Sequence, residues 1–157
     1  MEIIPAVGSV TLPLTGSEFM KLVTLFTNHP ILAMFGGAIT TALIQSSSAM
    51  IAIVQQMYHL KAISLYVSIP YIFGCNIGTT ITAILASIGQ SKDAKRCAIA
   101  HSVFNITGSF IFIWIIKPFA KFVEMISPKG NELDVISRQI ANAHMSFNII
   151  NTLIWLP

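Results

Sequence analysis

The sequence predicts an all-α membrane protein, and three observations support this. Only 10% of the 157 residues are charged, whereas an average soluble domain carries about 25%. Hydrophobic residues make up 54% of the chain, and the mean hydropathy is +0.75. The few charges leave long uncharged stretches, and about 20 such residues span a bilayer as a helix. So few charges cannot cover a water-facing surface, which excludes a soluble enzyme, a nucleic-acid binder and a disordered chain.

Residues 1–29 are predicted to form a short lead-in at the membrane surface. The segment opens without a basic region, and early Pro and Gly residues interrupt its apolar run, so it is not a cleavable signal. It ends at the turn signal Asn28-His29-Pro30. Residues 30–157 are predicted to form the transmembrane region.

Residues 31–60 contain no charge, but four polar residues in a row interrupt them at Gln45, Ser46, Ser47 and Ser48. One continuous helix would be about 45 Å long, well beyond the roughly 30 Å of a bilayer core. Alternatively, the chain turns back at the serines and forms a re-entrant hairpin. Such a turn is tolerated only inside a protein-lined cavity, where the N-terminus of the second arm favours an anion. Serines that bond back to their own helix are the simpler alternative.

Residues 62–89 are predicted to form a broken helix. Pro70, Gly74 and Gly78 interrupt this apolar stretch, and neutral oxygens follow at Asn76, Thr79, Thr80 and Thr82. Carbonyls and hydroxyls on broken transporter helices coordinate monovalent cations. Alternatively, the small residues of this segment form a face that packs against another helix.

Residues 97–116 and 139–156 are each predicted to cross the membrane once, with a polar loop over residues 117–138 between them. The two helices share a short motif: Ala-His-x-x-Phe-Asn occurs at residues 100–105 and again at 143–148. His and Asn lie four residues apart in each copy, which places them on one helix face. Both pairs are therefore expected to be interhelical hydrogen-bonding anchors.

The residues needed for common catalytic and metal chemistry are missing from the apolar stretches. Cys75 and Cys97 are two isolated cysteines, which support neither a disulfide framework nor a zinc site. The acidic residues lie in the lead-in or in predicted loops, so no catalytic triad or carboxylate pair forms. We therefore expect neither an enzyme nor a bound cofactor.

The order of these motifs resembles the type II sodium–phosphate cotransporter family over roughly residues 28–156. The Gln-Ser-Ser-Ser run, the Gly-Cys-Asn-Ile-Gly-Thr-Thr run from Gly74 to Thr80 and the two Ala-His-x-x-Phe-Asn copies carry the likeness. In that family, two inverted repeats each supply a re-entrant hairpin, and phosphate and sodium bind between them. The resemblance implies that this chain is one half of an inverted-repeat transporter, matching the second repeat.

The resemblance also implies roles for individual residues and a location in the cell membrane. By this resemblance, phosphate is expected to bind at Gln45, Ser46, Ser47 and Ser48. Sodium is expected to bind at Gln45, Ser46, Asn76, Thr79, Thr80 and Thr82. Sodium would act as the coupling ion, because a buried phosphate dianion without a fixed Arg or Lys needs a mobile counter-charge.

Two features depart from the family pattern. Cys75 stands where the family usually has Ala or Ser, and only one Gln-Ser-Ser-Ser run is present. A single run implies a second repeat, either from an antiparallel second chain or from a missing N-terminal half, and the apolar ending favours a fragment. A non-transporting subunit or truncated remnant, and a transporter of another anion, stay open as alternatives.

Overall fold

The computed structural model describes Lys21, residues 29–130 and residues 132–156, and side chains from Val135 onward in the last segment. Apart from Lys21 and His29, the predicted lead-in lies outside these residues. The described residues form helices and no strand, as the all-α prediction requires. We number the helices α1 (Pro30–Ile44), α2 (Ser47–His59), α3 (Leu65–Ser87), α4 (Lys92–Trp114), α5 (Ile116–Ile126) and α6 (Glu132–Trp155).

The chain breaks between α1 and α2, within the predicted polar run. Gln45 has a φ of +58°, in the left-handed region, and its N–H still donates to the carbonyl of Thr41. Ser46 is extended, and its hydroxyl accepts the N–H of Ala49 at 3.2 Å, which caps the first turn of α2. One continuous helix over residues 31–60 is therefore excluded.

Helices α1 and α3 pack with their backbones in close contact, through glycines. A Cβ added to Gly74 would collide with the carbonyl of Met34, and one added to Gly78 would lie 2.7 Å from Cβ of Thr41. Later residues of α1 thus meet later residues of α3, so the two helices run parallel. Because α2 connects the end of α1 to the start of α3, it must carry the chain back in the opposite direction.

Helix α3 is continuous, so the predicted break within residues 62–89 is wrong. Pro70 lies inside the helix, where it removes only one backbone hydrogen bond. The threonine hydroxyls that follow bond to carbonyls of their own helix and support it. The glycines serve close packing against α1 and do not end the helix.

The remaining helices differ from the sequence prediction at their ends. Helix α4 begins at Lys92, five residues before the predicted 97, since Ser91 caps it and Asp93 pairs with Arg96 in its first turn. It ends at Trp114, and the predicted polar loop contains α5. Buried apolar and exposed charged residues alternate in α5 with helical spacing, which apolar content alone did not indicate. Helix α6 begins at Glu132 rather than at 139.

The hydrophobic core contains residues of all six helices. Where α3, α4, α5 and α6 meet, it contains four phenylalanine rings with neighbouring centroids between 4.9 and 5.8 Å apart: Phe73, Phe112, Phe119 and Phe147. Large apolar side chains remain on the outside; Ile31, Phe35, Ile39 and Leu43 form an exposed stripe along α1. An apolar outer surface of this kind suits contact with lipid or protein rather than water. By length and composition, α3 and α4 can cross a membrane.

Candidate functional site

The break between α1 and α2 presents polar groups of two kinds. Ser47 and Ser48 are the first two residues of α2, and Ser48 is exposed. Their backbone N–H groups have no partner within the helix, because the first turn of any α-helix leaves them free. Gln45 is also exposed, and Ser46 is half-buried. Side-chain oxygens and unpaired N–H groups therefore occur together at the positive end of a helix.

Part of the predicted site on α3 lies at the level of this break. Gly78 contacts Thr41 and Ala42 on α1. Thr82 lies one turn beyond Gly78 on the same stripe of α3, and Gln45 lies one turn beyond Thr41. By this spacing, Thr82 lies at about the same position along the helix axes as the Gln45–Ser46 break. Thr79 lies beside the face of α3 that contacts α1.

The other predicted sodium residues lie on a different face of α3. Asn76 and Thr80, four residues apart, turn away from the stripe that contacts α1. Both are buried. Asn76 Oδ1 lies 3.2 Å from Nε2 of His144 on α6. The predicted sodium-binding residues of α3 are therefore divided between the face toward α1 and the face toward α6.

Each threonine of the set uses its hydroxyl hydrogen within α3. Thr79 donates to the carbonyl of Cys75 at 2.8 Å, Thr80 to Ile77 at 2.7 Å, and Thr82 to Thr79 at 2.6 Å. A hydroxyl that donates its hydrogen keeps its lone pairs for an incoming cation. These bonds agree with the simple expectation for threonines in membrane helices.

The two copies of the Ala-His-x-x-Phe-Asn motif adopt the same local geometry. Asn105 donates to the carbonyl of His101, and Asn148 donates to the carbonyl of His144. The expectation of interhelical bonds from the asparagines is therefore wrong, since their amides bond within their own helix. The expectation is correct for His144, which reaches Asn76. For the imidazole ring of His101, the described residues provide no hydrogen-bond partner.

Sequence reasoning did not predict that the Thr41 hydroxyl lacks a partner, nor did it predict the partner of Asn76. The Thr41 side chain is fully buried, and its oxygen has no hydrogen-bond partner among the described residues. It lies beside the thiol of Cys75, which is also buried. The run of small residues around Thr40 and Thr41 indicated close packing, and close packing is what buries this hydroxyl. The repeated motif was the signal that pointed to His144.

No group of three or more His, Cys, Asp and Glu side chains within the described residues could hold a metal ion. The predicted site residues carry neutral oxygens only, from amides and hydroxyls. A cavity of about 500 Å³ lies at the C-terminal end of α2, where Tyr58, Lys61 and Gln139 line it. It includes none of the predicted site residues.

Comparison with known proteins shows that this chain is similar to a known protein family. Residues 6–150 match the family described as Na+/Pi-cotransporter. A relative named "Uncharacterized protein YqeW" from Bacillus subtilis is 34% identical over 125 residues, which cover 80% of this chain and 39% of the relative. "Sodium-dependent phosphate transport protein 2C" from Rattus norvegicus is 35% identical over 118 residues, covering 73% of this chain and 19% of the relative.

The human protein of the same name is 39% identical over 91 residues, covering 55% of this chain and 15% of the relative. The chain therefore spans less than two-fifths of the length of these relatives. No solved structure matches.

Proposed function

Because the chain belongs to the Na+/Pi-cotransporter family, we propose that it is a membrane protein that takes part in sodium-coupled symport of inorganic phosphate, in the cell membrane. Phosphate binds at Gln45, Ser46, Ser47 and Ser48, and sodium binds at Gln45, Ser46, Asn76, Thr79, Thr80 and Thr82. The observation that carries the proposal is the break at Gln45 and Ser46, which gives α2 an N-terminus beside α3.

Helices α1 and α2 form a re-entrant hairpin in this proposal. With 15 and 13 residues, they are about 22 and 20 Å long, short of the roughly 30 Å of the hydrocarbon core. The chain also reverses between them, so both outer ends lie on one side. The break is then near the membrane centre, where irregular backbone must line a protein-enclosed cavity.

Phosphate recognition relies on neutral donors. No Lys or Arg occurs between Lys21 and Lys61 or between Lys61 and Lys92. The serine hydroxyls and the free N–H groups of α2 supply hydrogen bonds, and the helix N-terminus supplies partial positive charge. The rest of the counter-charge comes from sodium, so phosphate is held well only when sodium is present. That dependence couples phosphate movement to the sodium gradient.

A second repeat completes the site. One hairpin offers one N-terminus and covers one side of an anion, and the relatives are more than twice as long as the matched region. The partner is a second repeat, from an antiparallel second chain or from a longer polypeptide. The exposed apolar stripe on α1 and the exposed faces of α4 are compatible with such contacts.

Sodium-dependent uptake of ³²P-phosphate into proteoliposomes tests this function. We expect uptake in sodium chloride and none when choline replaces sodium. Replacement of Ser46, Ser47 and Ser48 by Ala is expected to abolish uptake, whereas the matched control with Ser64, Ser87 and Ser137 replaced by Ala retains it. Equal uptake in choline, or full uptake by the first variant, contradicts the proposal. Sodium-dependent uptake of labelled sulfate without any uptake of ³²P-phosphate would indicate a different anion.

A non-transporting subunit is the second candidate. Its premise is that one hairpin forms a half-site, which does not enclose an ion by itself. It predicts that the purified chain gains no thermal stability from phosphate and sodium together. A sodium-dependent stabilisation by phosphate excludes this candidate.

A further inference from the structure

Asn76 on α3 and His144 on α6 form a hydrogen-bonded pair between two helices. Asn76 Oδ1 lies 3.2 Å from Nε2 of His144, and Asn76 Nδ2 donates to the carbonyl of Ile72, also at 3.2 Å. Because the amide nitrogen faces a carbonyl, the amide oxygen faces the ring. That oxygen only accepts, so Nε2 of His144 carries the hydrogen.

The histidine is itself held in place. Asn148 donates to the carbonyl of His144 at 2.8 Å, one turn along α6. Buried aromatic packing surrounds this turn, since Phe147 lies in the core against Phe73 of α3. The imidazole ring is only half-buried, but the backbone of His144 is held within α6. Asn76 therefore has both ends of its amide directed, one by its own helix and one by α6.

We propose that His144 is a positioning residue for Asn76. The proposal rests on the proposed function, in which Asn76 binds sodium. A carbonyl oxygen has two lone pairs, and the histidine occupies one, which leaves the other available in a fixed direction. Without the histidine, only the bond to the Ile72 carbonyl directs the amide. The amide oxygen is then less ordered before sodium binds, and the remaining cost of ordering it weakens sodium affinity.

The second copy of the motif provides a matched control. His101 has the same local geometry, with Asn105 bonded to its carbonyl, but its ring has no hydrogen-bond partner among the described residues. It lines a separate cavity between α3 and α4, beside Cys97. Removal of this imidazole leaves Asn76 unchanged.

The test is a sodium titration of the purified full chain. The unfolding temperature is measured in mixtures of sodium chloride and choline chloride at constant ionic strength, with saturating inorganic phosphate. We expect His144→Leu to raise the half-saturating sodium concentration about threefold to tenfold, the effect of one lost hydrogen bond. His144→Gln restores the donor and is expected to return the value to that of the wild type, and His101→Leu is expected to leave it unchanged.

Two further variants separate positioning from a general loss of structure. His144→Asn keeps an amide but is too short to reach Asn76, so it is expected to behave like His144→Leu, and it replaces that variant if the latter does not fold. Adding His144→Leu to Asn76→Ala is expected to change the sodium value no further, since His144 acts through Asn76. Additive effects, or wild-type values for both His144→Leu and His144→Asn, overturn the positioning role. Absence of any sodium response in the wild-type chain instead overturns the proposed sodium site.

Discussion

Two uncharged stretches of this chain contain similar polar interruptions, and only one of them breaks. The helix that starts at Pro30 ends at Ile44, and a new one starts at Ser47. The helix from Leu65 to Ser87 continues through Pro70, two glycines and three threonines. Polarity and small size alone therefore do not decide where a membrane helix ends.

The direction of the side-chain hydrogen bonds distinguishes the two stretches. The hydroxyls of Thr79, Thr80 and Thr82 donate backward to carbonyls of the preceding turn, which a continuous helix offers. The hydroxyl of Ser46 instead accepts a forward N–H from Ala49, which is a capping bond and requires a helix to begin there. The first stretch thereby presents free N–H groups, and the second presents oxygens.

The largest effect is expected where the two stretches pack together. A Cβ at Gly74 would collide with the backbone of Met34, so Gly74→Ala must separate α1 from α3. We expect a loss of about 1–3 kcal/mol in the free energy of unfolding, measured by thermal unfolding in detergent. Gly130→Ala is the control, because nothing lies within 4 Å of that position. Equal stability of both variants contradicts the close packing.

Loss of the cap is expected to have a smaller effect. Ser46→Ala removes the hydroxyl that accepts the N–H of Ala49, and such changes cost about 1 kcal/mol. Ser46→Asp keeps an acceptor and is expected to remain close to the wild type in stability, while its negative charge opposes phosphate. Thermal unfolding and phosphate uptake, measured on the same preparations, check the two halves of this prediction. A stable Ser46→Ala variant contradicts the capping role.

Gln45→Gly is expected to separate stability from function. The left-handed conformation at Gln45 suits glycine, so this variant is expected to gain up to about 1 kcal/mol. The gain appears as a higher unfolding temperature. If the side chain binds phosphate and sodium as proposed, uptake falls despite the greater stability. A variant that is both more stable and fully active excludes Gln45 from the site.

The smallest effect on stability is expected within α3. Thr79→Val removes a hydroxyl that donates to a carbonyl already used in the helix, so we expect a change within about 0.5 kcal/mol. Sodium affinity is expected to fall, because the oxygen is lost. A strongly destabilised Thr79→Val variant means that the hydroxyl holds the helix together and has a structural role.

The sequence predicted the helical class and the break at Gln45 and Ser46, because both follow from local composition. It did not predict the continuity of α3, since the use of Gly74 and Gly78 depends on whether another helix lies against them. Helix α5 was also missed, because the prediction of a polar loop rests on the charges in this segment and overlooks the helical spacing of its apolar residues.

The candidate site shows the same limit. Motifs in the sequence predict Gln45, Thr79 and Thr82 as site residues, and this assignment stays a prediction. The separation of Asn76 from that group, and its bond to His144, depends on how α6 packs against α3. The repeated motif predicted that His144 bonds to another helix. No pattern in the sequence indicated that only one of the two histidines would form such a hydrogen bond.

The central claim is that α1 and α2 enter the membrane and return, which places both of their outer ends on one side. Cysteines introduced one at a time at His29, Leu60 and Gln90, each in a Cys97→Ala background that retains the buried Cys75, test this by labelling with a membrane-impermeant thiol reagent in oriented proteoliposomes. We predict that His29→Cys and Leu60→Cys are labelled from the same side, and Gln90→Cys from the opposite side because α3 crosses. Labelling of His29→Cys and Leu60→Cys from opposite sides would contradict the re-entrant hairpin.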